Sequence, residues 1–158
     1  MINLKLSPGN FNYLGTEYSD PRGFNDRNGI IQVNSENYRR LYWKISESIH
    51  NFNMEIEWGD MFDLPIAYNR FKDGMTMYLL ISDWYVVGHV WFKDYKDGRF
   101  LFNLFVRNKN IIKTYTGKEF VSDVINRFEN NRTIYCEVDD WNIKSIKLFD
   151  RLGFITEK

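Results

Sequence analysis

The sequence predicts an α/β protein built on a mixed central sheet, and two observations carry that reading. From Met75 the apolar pattern loses its helical spacing and runs through three stretches rich in residues that pack on sheets, MTMYLLIS, WYVVGHVWFKDY and RFLFNLFV. Two amphipathic helical stretches then alternate with a further strand, IYCEV, so the order is β-β-β-α-β-α. The passage from RFLFNLFV through a helix to IYCEV is the crossover that makes parallel neighbours, whereas the earlier strands are joined by tight turns. The sheet should therefore be antiparallel first and parallel at these two later strands.

Length and composition fit a single domain spanning 1–158. A chain of 158 residues, 44% apolar and 18% aromatic, can bury one core and is too short for two ordinary ones. Lys plus Arg and Asp plus Glu each total 21, which gives no general electrostatic case for nucleic acid or an anionic membrane. Cys136 is the only cysteine, so no internal disulfide forms and a reducing compartment, the cytoplasm, is expected. No stretch is apolar for long enough to span a bilayer or to form the core of a signal peptide. One Ala against 17 Asn and 15 Ile fits an AT-rich genome, of a bacterium or of a virus acting in a bacterial host.

In chain order, MINLKL is a short opening strand with Ile2, Leu4 and Leu6 on one face. Residues 7–34 are rich in Gly, Pro, Asp and Asn and read as a long loop with a small strand near Ile30–Val33. Ser35 is a candidate cap for the helix ENYRRLYWKISESIHNF, whose stripe is Tyr38, Leu41, Tyr42, Ile45 and Ile49. Further helical turns follow in MFDLPIAYNRF, where Pro65 leaves the extent open. After the three-strand meander, GKEFVSDVINRFENN forms a helix with Phe120, Val121, Val124, Ile125 and Phe128 buried. The final helix, NIKSIKLFDRL, faces the sheet with Ile143, Ile146, Phe149 and Leu152 and stops at Gly153, followed by Phe154 as the hydrophobic contact of a left-handed cap. Either Asp140 or Asn142 can cap that helix.

The closing stretch runs from a strand to Asn142, then Ser145, Leu148-Phe149 and Gly153-Phe154. This resembles the closing motif of the GCN5-related N-acetyltransferase (GNAT) superfamily, and the resemblance extends over residues 75–155. Gly88-His89 matches the family's third strand and FLFNLFV its fourth. The resemblance implies an acyl-CoA N-acyltransferase-like fold whose parallel fourth and fifth strands splay apart. It implies acetyl transfer from acetyl coenzyme A to an amine of a small molecule or protein, with the cofactor in the gap between those strands. The backbone of Leu104, Phe105 and Val106 would pair with the pantetheine arm. Asn142 would hydrogen-bond the cofactor near the mouth, with Ser145 and Phe149 beside it. The alternative is a family-fold protein without transfer activity that serves in binding or structure.

The family's phosphate loop falls on TYTGKEF, where Thr114, Thr116, Gly117 and Lys118 are candidate phosphate contacts at a helix N-terminus. Thr114 stands where the family has Gln or Arg, and Glu119 where it has a second Gly. A reciprocal cap between Thr116 and Glu119 would make the same stretch an ordinary helix start. Phe149 occupies the place of a Tyr that commonly protonates the departing thiolate, so that proton would come from solvent or another acid. Glu137, alternating away from Ile134, Cys136 and Val138, and His89 are the candidate proton acceptors, each with a structural reading as well. No metal is implied. Only ITEK follows Phe154, so the last strand should be very short or missing; the opening strand and the 7–34 loop, or a second subunit in a homodimer, would complete that side of the sheet.

Overall fold

The computed structural model describes residues 1–14, 29–55, 63–107 and 117–157. The strands are β1 (Ile2–Leu6), β2 (Gly29–Val33), β3 (Thr76–Ser82), β4 (Tyr85–Tyr95), β5 (Gly98–Val106), β6 (Ile134–Val138) and β7 (Ile155–Thr156). The helices are α1 (Tyr42–Glu55), α2 (Leu64–Lys72), α3 (Gly117–Val124) and α4 (Ile143–Leu152). The strands form one seven-stranded sheet in the order β2-β3-β4-β5-β6-β1-β7.

β2 through β5 are antiparallel neighbours, and β5 pairs with β6 in parallel. Alternation along β3 sends Met77, Leu79 and Ile81 to one core and Tyr78 and Leu80 to the other. The first core is completed by Ile45 and Ile49 of α1 and Ala67 and Phe71 of α2. The second is completed by Phe120, Val121 and Val124 of α3 and Phe149 and Leu152 of α4. Burial on both faces explains why the central strands read as nearly unbroken apolar runs.

The opening strand completes the far side of the sheet. β1 runs antiparallel to β6, with Leu4 opposite Cys136 and Leu6 opposite Ile134. The two-residue β7 then pairs with β1 at Leu4 and Lys5.

One helix starts later than the sequence suggests. Ser35 is not its cap: residues 35–41 form turns and α1 begins at Tyr42. Two Asn side chains account for this. Asn34 Oδ1 accepts from the backbone N–H of Glu36 and of Asn37, and Asn37 Nδ2 donates to the Gln32 carbonyl. Such local bonds offer the backbone an alternative to helix. Pro65 ends nothing, because it lies in the first turn of α2, whose amides need no helical acceptor, behind Asp63, which caps Ile66 N at 2.9 Å.

α3 passes into a π-helical segment, Ile125–Glu129. Its last residue reaches back under the sheet to Arg99. The guanidinium donates to both Glu129 oxygens at 3.1 and 3.2 Å, to Thr76 Oγ1 at 3.2 Å and to Asp94 at 3.0 Å. Tyr78 Oη donates to the same Glu129 at 2.8 Å. This network sits where β5 and β6 meet.

Candidate functional site

β5 and β6 pair only at Arg99↔Ile134 and Phe100↔Tyr135. Beyond that point they diverge, and a cleft of about 250 Å³ opens between them. Its walls include Leu104 from β5, Glu137 from β6, and Asn142, Ser145 and Phe149 from the start and middle of α4. Five residues singled out from sequence are thus brought together.

Two features frame the divergence, one at its closed end and one just beyond it. Gly98, at the closed end, has no Cβ, and one placed there would lie 2.0 Å from the Thr133 carbonyl oxygen. This close approach lets Arg99 N donate to that carbonyl at 2.8 Å and ties the strands together. Further along, the β4–β5 register shifts between His89, opposite Phe105, and Trp91, opposite Phe102. Asn103, in the bulge, has φ of 57°, a left-handed value that Asn tolerates better than most residues. A bulge bends its strand, and this one lies just beyond the last β5 residue that pairs with β6.

Asn142 is the N-cap of α4, with Oδ1 accepting from Ser145 N at 3.2 Å. Its carboxamide nitrogen has no hydrogen-bond partner among the described residues, and the side chain lines the cleft. One amide therefore both starts the helix and presents a donor to the gap. Ser145 is half-buried beside it. Phe149 is 4% exposed and packs edge-on against Phe154 at 5.1 Å, so it supplies apolar wall and no proton.

Glu137 is exposed and borders both the cleft and a smaller cavity of about 90 Å³ on the sheet face, floored by Tyr95, Phe100 and Tyr135. Its neighbour Cys136 is buried, and that burial, with the Glu137 charge, pushes the thiol up to about 12. Such a thiol is no nucleophile at neutral pH. Tyr135 Oη donates to Asp97 at 2.6 Å near the closed end.

His89 is not brought to the cleft surface. It is fully buried, tilted against Phe52 and Phe105 at 5.4 Å from each. Nδ1 lies 2.7 Å from Ser48 Oγ of α1 and Nε2 lies 3.2 Å from Asn103 Oδ1. Burial drives its pKa down to about 4, against a smaller upward effect of the Asn103 hydrogen bond. The ring is neutral at pH 7 in the folded chain and takes up a proton below pH 6.5 in the unfolded one. This contribution to stability is thus complete above pH 6.5 and is lost as pH falls toward 4, by about 3 kcal/mol in all. Urea unfolding at pH 7 and pH 5 should show about 2 kcal/mol of this loss in the wild type and not in His89→Gln.

Among the other anticipated residues, the Phe105 ring packs on the α1 side, and Val106 pairs with Gly88 of β4. Gly88 has no room for a side chain, since a Cβ there would meet the Phe105 carbonyl at 2.8 Å. Thr114 and Thr116 lie outside the described residues, Gly117 begins α3, and Lys118 follows within its first turn. Glu119 is 7% exposed in that turn. The residue that sequence reasoning missed is Asn103. Its signal was a lone Asn interrupting the apolar run FLFNLFV, a residue type that tolerates the left-handed turn of a bulge.

No family model and no curated protein matches the sequence. Solved structures do match the fold. A functionally unknown conserved protein from Staphylococcus epidermidis is 12% identical with a TM-score of 0.59, over 99% of this chain and 57% of its own. A protein from Novosphingobium aromaticivorans, named as a candidate acetyltransferase of the GNAT family, is 10% identical with a TM-score of 0.60, over 99% of this chain and 61% of its own. A GCN5-related N-acetyltransferase-like protein from Streptococcus suis is 12% identical with a TM-score of 0.50, over 98% and 58%. The chain thus spans about three-fifths of the length of these structures. At such identities the likeness is one of fold: this chain has the mixed-sheet α/β architecture seen in GNAT acetyltransferases.

Proposed function

We propose that the protein is an N-acetyltransferase that moves acetyl from acetyl coenzyme A to an amine of a small molecule or protein. The single observation that carries this reading is the open β5–β6 gap, with a β5 edge that pairs with no strand among the described residues on one side and the Asn142 amide on the other. Backbone groups of Leu104, Phe105 and Val106 that β6 does not satisfy would pair with the pantetheine arm as an added strand does. The Asn142 carboxamide nitrogen would donate to a cofactor carbonyl, and Ser145 leaves room beside it. Thr114, Thr116, Gly117 and Lys118, at and before the start of α3, are the proposed pyrophosphate contacts, where helix amides favour an anion. Glu137, exposed at the cleft wall, would take the proton from the acceptor amine.

The test is calorimetry with acetyl coenzyme A and coenzyme A, paired with thiol release across a panel of amines. Binding at micromolar concentration and amine-dependent thiol release are expected. Asn142 needs a variant that separates its two roles, because Asn142→Ala also removes a helix cap, a loss of about 0.5–2 kcal/mol in stability. Asn142→Asp retains the capping oxygen and lacks the donor. Its melting temperature should stay near that of the wild type while the cofactor dissociation constant rises about 5- to 150-fold, the range for one lost hydrogen bond of about 1–3 kcal/mol. Unchanged affinity in Asn142→Asp would remove Asn142 from the cofactor site.

A second reading, a binding protein without transfer activity, draws on the apolar Phe149 wall, which holds no acid for the departing thiolate. Cofactor binding without thiol release, in the wild type and in Phe149→Tyr, is the result that reading expects.

A further inference from the structure

The bulge residue Asn103 lines the cleft, yet its Oδ1 is turned away from it toward a buried ring on the opposite face of β5. That ring, His89, is neutral at pH 7 and therefore carries one N–H. An acceptor oxygen 3.2 Å from Nε2 requires the proton there, which leaves Nδ1 as an acceptor. Ser48 Oγ, 2.7 Å from Nδ1 and 1% exposed, must then donate. The three groups share one self-consistent arrangement: Ser48 donates to Nδ1, the ring proton sits on Nε2, and Asn103 Oδ1 accepts it. With Oδ1 held inward, the Nδ2 donors face the cleft, where they have no partner among the described residues.

The position along β5 matters. Pairing with β6 ends at Phe100, and the edge proposed for pantetheine begins at Leu104. Asn103 stands between them, near the closed end, where the acyl end of a donor threaded along that edge arrives. Resting on the acetyltransferase reading of the gap, we propose that Asn103 Nδ2 is a hydrogen-bond donor to the thioester carbonyl oxygen during transfer, and that Ser48 and His89 are positioning residues that hold it there. In the step itself the amine nitrogen lone pair forms the C–N bond and the carbonyl π electrons move to oxygen, where Asn103 meets the developing charge. Collapse re-forms the carbonyl and breaks the C–S bond, and one proton passes overall from the amine nitrogen to the coenzyme A sulfur.

The test combines kinetics with calorimetry on the full chain. Asn103→Ala should lower kcat by about 10²–10³-fold, the usual loss for one oxyanion donor, with the acetyl coenzyme A dissociation constant changed by less than about threefold. Ser48→Ala, which never touches substrate, should lower kcat by up to about tenfold, as for one hydrogen bond, again at nearly constant affinity. In ¹⁵N spectra of the wild type, His89 should hold its proton on Nε2 from pH 5.5 to 8, and Ser48→Ala should redistribute it between the two nitrogens. Wild type that binds and turns over while Asn103→Ala keeps its kcat overturns this proposal alone, as does a His89 proton found on Nδ1. Wild type that neither binds acetyl coenzyme A nor releases thiol overturns the acetyltransferase reading and this proposal with it.

Discussion

Replacing Glu129 by Ala is expected to destabilise the protein by about 3–5 kcal/mol, the usual result of stranding one half of a buried ion pair. Glu129 is 5% exposed and accepts from Arg99 Nε, Arg99 Nη2 and Tyr78 Oη. Arg99 is 8% exposed, and without Glu129 its remaining carboxylate is Asp94, whose side chain is 76% exposed. Water screens that exposed partner, so it compensates little of the buried charge. At about 2–4 °C per kcal/mol for a chain of this size, the melting temperature should fall by roughly 6–20 °C. Removing both partners is the informative control. Arg99→Met with Glu129→Leu should recover most of the loss, because no charge is left without its counterpart. A Glu129→Ala variant within about 1 kcal/mol of wild type in urea unfolding would mean that the pair is hydrated in solution.

Gly153→Ala should cost roughly 2–5 kcal/mol, from two independent sources: backbone strain and overpacking. Gly153 ends α4 with φ of 105°, a left-handed conformation that destabilises an L-residue by about 1–2 kcal/mol. A Cβ would also sit 2.1 Å from the Asn10 carbonyl oxygen and 3.3 Å from Leu6 Cδ1. Overpacking of this kind adds about 1–3 kcal/mol. The neighbouring contacts show what would move. Asn12 N donates to the Leu152 carbonyl at 2.9 Å and Asn12 Nδ2 to the Arg151 carbonyl at 3.0 Å, so the segment after β1 is laced to the end of α4. Thermal unfolding of Gly153→Ala beside Gly74→Ala separates the two sources, since Gly74 also has positive φ (87°) but a methyl there would meet nothing within 4 Å. A loss at Gly153 no larger than at Gly74 would show that the crowding is relieved without cost.

What could be read from sequence was local. The strands of the meander and the amphipathic α4 announce themselves by period, and Gly153-Phe154 by its cap chemistry. The cleft wall came instead from the resemblance of the closing stretch to the GNAT motif, which is compact because Asn142, Ser145 and Phe149 lie on one short helix and its cap. The failures lay where distant segments decide the outcome. His89 carries the same letter whether it faces a substrate or a core. Ser48 and Phe52, brought over it by α1, help to make it a neutral buried ring. The opening strand lies, as expected, on the far side of the sheet, but nothing in MINLKL gives its register against β6, because register depends on strands far away in the chain. The later start of α1 was written in Asn34 and Asn37, but two competing caps are hard to rank without the carbonyl of Gln32 beside them.

The insertion of β1 between β6 and β7 sets an order of events during synthesis. Leu4 and Leu6 leave the ribosome long before Cys136 and Ile134, the residues they face. β7 pairs with β1, so it docks only after β1 has. The meander and its two covering helices, by contrast, are built from neighbouring segments and can collapse as they emerge. A nascent chain stopped before Ile134 therefore holds β1 as an unclaimed apolar ribbon, the kind of segment chaperones bind. Closure of the sheet waits for the longest loop in the fold, and such long-range pairings are slow to form. Refolding followed by hydrogen exchange should accordingly protect the amides of β3 and β4 in an early phase and those of β1 in the last.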